Sequence, residues 1–61
     1  MSKKDRAYKA AREIGGNLGA QAELALRRGS EDHELFLRTS GQLLNSTDPR
    51  AKEILEGLAG D

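Results

Sequence analysis

Apolar and small residues recur at helical spacing from the start of the chain. Ala7, Ala11, Ile14, Leu18, Ala22 and Ala25 follow one another at steps of four, three, four, four and three. At about 100° per residue they fall on one face, with Lys9, Arg12, Glu13, Glu23 and Arg27 opposite. The stripe keeps its phase through Gly15-Gly16. That continuity predicts one long helix over residues 3–28, although each mid-helix glycine costs about 1 kcal/mol relative to alanine. Arg27 and Arg28 suit the negative end of the helix dipole, and Gly29 suits the left-handed position that closes a helix.

Ser30 then reads as the N-cap of a second helix over residues 31–45, with Glu31, Asp32 and Glu34 in its first turn. On its wheel His33, Phe36, Leu37, Ser40, Leu43 and Leu44 share a broad face. Glu34, Arg38, Gly41 and Asn45 point away, and Leu35 lies off the apolar face. Asp48-Pro49 starts a third helix over residues 49–59, with Asp48 as cap and Pro49 at the first helical position, where a missing N–H costs nothing. Ala51, Ile54, Leu55 and Leu58 form its stripe. No alternating strand pattern, repeat or low-complexity segment interrupts the helices.

The expected architecture is all-α: a single small helical domain over residues 1–61, with a long N-terminal helix packed by a helical hairpin partner and a third helix. A straight helix of residues 3–28 would be about 39 Å long, against about 22 Å and 15 Å for the others. The shorter two cover it only when laid end to end. The third helix can fold back to close a three-helix bundle or continue along the first; in the second case an open apolar side asks for a second copy, and a dimeric bundle is expected.

Composition sharpens this picture. A chain of 61 residues buries only about 60% of its unfolded surface, and small scaffolds need a supplement. There is no cysteine, and the lone histidine, His33, has no other His or Cys with which to share a zinc ion. Self-association or partner binding remains. No apolar run approaches the roughly 20 residues that span a bilayer, and the positive N-terminus has no apolar segment behind it; a cytoplasmic protein without membrane contact is expected. Ten basic residues balance ten acidic ones, but unevenly. Lys3, Lys4, Arg6, Lys9 and Arg12 face only Asp5 in the first twelve residues, while Glu56 and Asp61 make the C-terminal end acidic.

Candidate chemistry is sparse. Gly15-Gly16-Asn17-Leu18-Gly19 lacks the preceding strand and the Lys-Ser/Thr pair of a phosphate loop. The Glu31/Glu34 pair lies at an exposed helix end, where nothing drives its two pKa values apart for acid–base work. No nucleophile accompanies His33. No enzymatic activity, cofactor or metal is expected. The row Ala11, Gly15, Gly19 instead outlines a groove of small residues, flanked by Tyr8 and Leu26, in which a helix could lie close: the chain's own second helix through Phe36 or Leu43, another copy, or a foreign helix. Residues 12–19, REIGGNLG, resemble the glycine-containing REAGGAFG stretch in the inhibitory region of mitochondrial ATPase inhibitor proteins. The resemblance covers eight residues, and the long His-rich coiled coil that follows in that family has no counterpart here, so no function is carried over.

The chain therefore reads as a small protein-interaction module, a regulator, inhibitor or adaptor that presents helix faces to a protein partner. Tyr8, Arg12, Gly15 and Gly19 form the candidate surface; Tyr and Arg are enriched among binding hot spots. The alternative is a nucleic-acid-binding helical dimer using Lys3, Lys4, Arg6, Lys9 and Arg12, with affinity dominated by phosphate contacts. Only two aromatic residues are present, which leaves no stacking platform for single strands.

Overall fold

Gly15 turns the chain back on itself. The computed structural model describes residues 1–60, so the Asp61 charge counted above lies outside the described residues. Gly15 stands at φ 64° and ψ −164°, and Gly16 at φ 61°. That Gly15 conformation is open essentially to glycine alone. It closes α1 (Lys3–Ile14) and opens α2 (Gly16–Arg28), so the single helix expected over residues 3–28 is corrected to a tight αα-hairpin. A straight helix of about 39 Å would not fit a molecule whose extents are 24 × 24 × 16 Å. The in-phase wheel misled for a simple reason. Two separate helices whose inward rows happen to lie four residues apart, here at Ile14 and Leu18, reproduce the pattern of one.

A short 3₁₀ turn, Gly29–Glu31, links α2 to α3 (His33–Leu44), and α4 (Pro49–Ala59) follows. Among the described residues all regular structure is helical. Asp32, rather than Ser30, caps α3, accepting from the Leu35 N–H at 3.1 Å. The 3₁₀ turn occupies the position where the expected cap stood. Asp48 caps α4 as its sequence suggests, accepting from the Arg50 N–H at 2.9 Å. The Arg50 guanidinium lies on the same carboxylate, with Nη2 2.6 Å from Oδ2. That guanidinium, and after it the Arg50 backbone N–H, hold the Asp48 carboxyl at about 2 instead of 3.8. Its pKa is depressed by folding, so the cap is complete above about pH 4 and is lost as pH falls toward about 2.

α1 is the centre of the assembly, packing most extensively on α4 and next on α2, with α3 bridging α2 and α4. The core is built from Ala7, Ala10, Ala11, Ala22 and Ala51 around Leu26, Leu43 and Ile54, with Tyr8, Ile14, Leu18, Leu55 and Leu58 at its edge. Alanine on so many facing positions means that the helices approach by backbone rather than through long side chains. The tightest approach is at Gly57 of α4. A Cβ there would collide with Ala7 Cβ and stand 3.2 Å from the Lys3 carbonyl oxygen and 3.3 Å from Leu26 Cδ2.

α3 is rotated from the face its leucines suggested. Leu35, Thr39 and Leu43 are buried; Phe36 and Ser40 are half-buried; His33, Leu37 and Leu44 are exposed. The inward row runs at steps of four through Thr39, whose polar label hid it. The Thr39 hydroxyl has no hydrogen-bond partner, although a helical threonine can bond back to the preceding turn. Leaving such a group unmet in the core costs about 1–3 kcal/mol. Thr39→Val, which keeps the shape and removes the hydroxyl, is expected to stabilise the protein by about 1 kcal/mol. Thermal unfolding followed by circular dichroism should show Tm rising by about 4–8 °C.

Candidate functional site

The antiparallel hairpin sets the register of the candidate surface. Arg12 of α1 faces Glu23 of α2, with Arg12 Nε 3.3 Å from Glu23 Oε1. One helical turn toward the N-terminus of α1, and one turn onward along α2, Tyr8 lies level with Arg27. Asp5, Tyr8, Lys9 and Arg12 share one face of α1 at the i, i+3, i+4, i+7 spacing of a helical stripe. Together with Met1 and Arg27 they line an open cleft of about 500 Å³ between the two helices. Among the described residues its charged side chains are Lys9, Arg12 and Arg27 and the carboxylate of Asp5, and Glu23 is paired with Arg12. Tyr8 is half-buried, packs against the core and lines the cleft. Ser2 fixes the start of α1 by accepting from the Asp5 N–H at 3.0 Å.

The Arg12–Glu23 pair is exposed, Arg12 by 70% and Glu23 by 33%. Ion pairs of this exposure contribute about 0–1 kcal/mol. An incoming carboxylate therefore has little to displace when it competes for the guanidinium.

The four residues expected to form one partner surface do not stay together. Tyr8 and Arg12 meet in the cleft. Gly15 forms the turn, and Gly19 is buried against α1, where a Cβ would stand 2.6 Å from the Ala11 carbonyl oxygen. The row Ala11, Gly15, Gly19 is thus a contact between α1 and α2, already filled from within, and offers no groove to another helix. Leu26, expected at the flank of that groove, is a core residue.

The basic set is divided as well. Lys9 and Arg12 belong to the cleft described above. Arg6 and Lys9 border a second cleft, shared with Met1, Glu13 and the Glu53 carboxylate of α4. Lys3 and Lys4 are exposed on the first turn of α1. Acidic side chains therefore interrupt the basic run once α4 is in place.

Sequence reasoning missed Arg27, Asp5 and Met1 as neighbours of Tyr8. The signal was present in the i, i+4 pair Glu23/Arg27, which becomes opposite to Arg12 and Tyr8 only when the chain reverses at Gly15. His33, expected on the inward face of its helix, is exposed at the start of α3. Among the described residues no cluster of three or more His, Asp or Glu side chains is placed to hold a metal ion, and no helix is long and apolar enough to cross a membrane. Comparison with protein-family models, with curated proteins and with solved structures gives no match for this chain.

Proposed function

We propose that this protein is a non-enzymatic interaction module, acting as regulator, inhibitor or adaptor, and that it binds an acidic, partly apolar segment of a protein partner in the α1–α2 cleft. The observation that carries this reading is the half-buried Tyr8 framed by Lys9, Arg12 and Arg27. The aromatic ring gives a contact area of low conformational cost, and the guanidinium groups match carboxylates in bidentate geometry. Tyr and Arg at the centre of a contact are the residue types that dominate binding energy.

Selection of peptides from a displayed random library on the immobilised protein tests it. Enriched sequences should combine Asp or Glu with an aromatic or aliphatic residue. The double variant Arg12→Glu/Arg27→Glu should bind them at least about tenfold more weakly, while Lys52→Glu, an exposed change on α4, leaves affinity unchanged. Equal binding by the double variant, or no acidic enrichment, would refute the proposal.

Nucleic acid is the rival ligand. Lys9 borders both clefts and so connects Arg6 with Arg12 and Arg27, a path that a phosphate backbone could follow. Glu13 and Glu53 beside that path count against it. Gel-shift titration decides: retention at low salt that falls steeply as salt rises favours the rival, and no retention at low salt removes it.

A further inference from the structure

Gly41 has no reason within its own chain to be glycine. Gly15, Gly16, Gly29 and Gly60 have positive φ, and Gly19 and Gly57 lie where a Cβ would strike a neighbouring helix. Gly41 sits in the middle of α3, with ordinary helical geometry, and a Cβ there would meet nothing within 4 Å. On the same outward face, four residues before it and three residues after it, Leu37 and Leu44 are 55% and 73% exposed. A helix-weakening residue, itself half-buried, and two exposed large apolar side chains are thus placed on one face.

We propose that this face of α3 binds the same face of a second copy, the two helices running antiparallel about a two-fold axis beside Ser40 and Gly41. The pattern is self-complementary. Placing Leu37 opposite Leu44 of the second copy sets the small residues Ser40 and Gly41 against their equivalents at the centre, where two backbones can approach closely. The same register brings Asn45 of the second copy level with Phe36, midway between Glu34 and Arg38. Those two are an i, i+4 pair of opposite sign on the outer flank of α3. An amide both donates and accepts, so Asn45 can meet the guanidinium and the carboxylate together. Antiparallel packing also sets the N-terminus of each helix beside the C-terminus of the other, which the helix dipoles favour. Contact on identical patches closes on itself as a dimer. The patch is small: on the order of 800 Å² would be covered in total, short of the roughly 1,200 Å² at which stable complexes begin. The dimer is therefore a weak one. It does not rest on the α1–α2 cleft, which lies on other helices.

Sedimentation equilibrium and translational diffusion by NMR, from about 20 μM to about 1 mM protein, test the proposal. The expected result is a monomer–dimer equilibrium, with concentration-dependent shifts at the amides of Leu37, Ser40, Gly41 and Leu44. Leu44→Glu, at an exposed position, should weaken association at least tenfold without loss of helix. Gly41→Ala separates this account from a merely solvent-facing glycine. It should raise Tm by about 4–8 °C, because alanine is the better helix former, and at the same time weaken association about tenfold by holding the helices apart. A protein that remains monomeric at about 1 mM overturns the proposal, as does association that Leu44→Glu and Gly41→Ala leave unchanged.

Discussion

Gly57→Ala is expected to destabilise the protein by about 2 kcal/mol, against the direction that helix propensity alone dictates. Alanine in place of a helical glycine gains about 1 kcal/mol. At Gly57 the added methyl would collide with Ala7 Cβ and press on the Lys3 carbonyl and on Leu26. Two of these neighbours are backbone or the first atom of a side chain, so neither can rotate away. α1 and α4 have to separate, and that contact is the most extensive in the fold. Overpacking of this kind costs about 1–3 kcal/mol, sometimes more; with no flexible atom to yield, the upper end applies. Stability for a chain of 61 residues is roughly 3–9 kcal/mol, so the loss is a large fraction of the whole. Chemical denaturation should show a lower midpoint with an unchanged slope. A variant more stable than the parent would mean that α1 and α4 are not in close contact.

The larger effect is expected from Gly15→Ala/Gly16→Ala, at about 3 kcal/mol of lost stability. Gly15 lies at φ 64° and ψ −164° and Gly16 at φ 61°. Forcing a residue with a Cβ into such regions costs about 1–3 kcal/mol at each position. The sign distinguishes two architectures. Were residues 3–28 one helix, the same double change would stabilise it by about 2 kcal/mol, two glycines having been replaced by the best helix former. Thermal and urea unfolding of the double variant therefore give opposite answers for a hairpin and for a continuous helix. If the variant straightens rather than unfolds, its hydrodynamic radius increases, which the hairpin account also expects, because a straight segment of about 39 Å exceeds the 24 Å extent of the native fold.

The helical class, the α4 boundaries and the Asp48 cap were legible because each rests on local chemistry: a heptad-like stripe, a proline at the first helical position, a carboxylate before it. The hairpin was not, because helical phase constrains where side chains point and not whether the axis continues. Gly15-Gly16 carried the true signal, and the in-phase alanines on either side outweighed it. Thr39 hid the inward row of α3 for a different reason. A buried hydroxyl reads as a surface residue in any polar–apolar pattern, and this displaced Leu35 outward and Leu37 and Leu44 inward in the reading. Gly57 gave no pattern at all, since an apolar stripe registers side chains and its role is to lack one.

The candidate site suffered from the same reversal. Tyr8 and Arg12 were identifiable as hot-spot residue types on one helix face. Their neighbour Arg27 lies 19 residues from Tyr8 and 15 from Arg12 in sequence and adjoins them only through the turn. Conversely, Gly15 and Gly19 were read as a surface for a partner because on a straight helix they would share a face with Ala11. In the hairpin they are the means by which α1 and α2 meet.

The placing of Tyr8 and Arg27 on one cleft is the most direct test of this account. In the hairpin both line one cleft, whereas on a straight helix they would be separated by about 28 Å. A nuclear Overhauser spectrum of the protein at low concentration should contain cross-peaks between the Tyr8 ring and the Arg27 side chain, with the helical amide contacts broken at Gly15. Uninterrupted helical contacts from Lys3 to Arg28, with no Tyr8–Arg27 cross-peak, would contradict it.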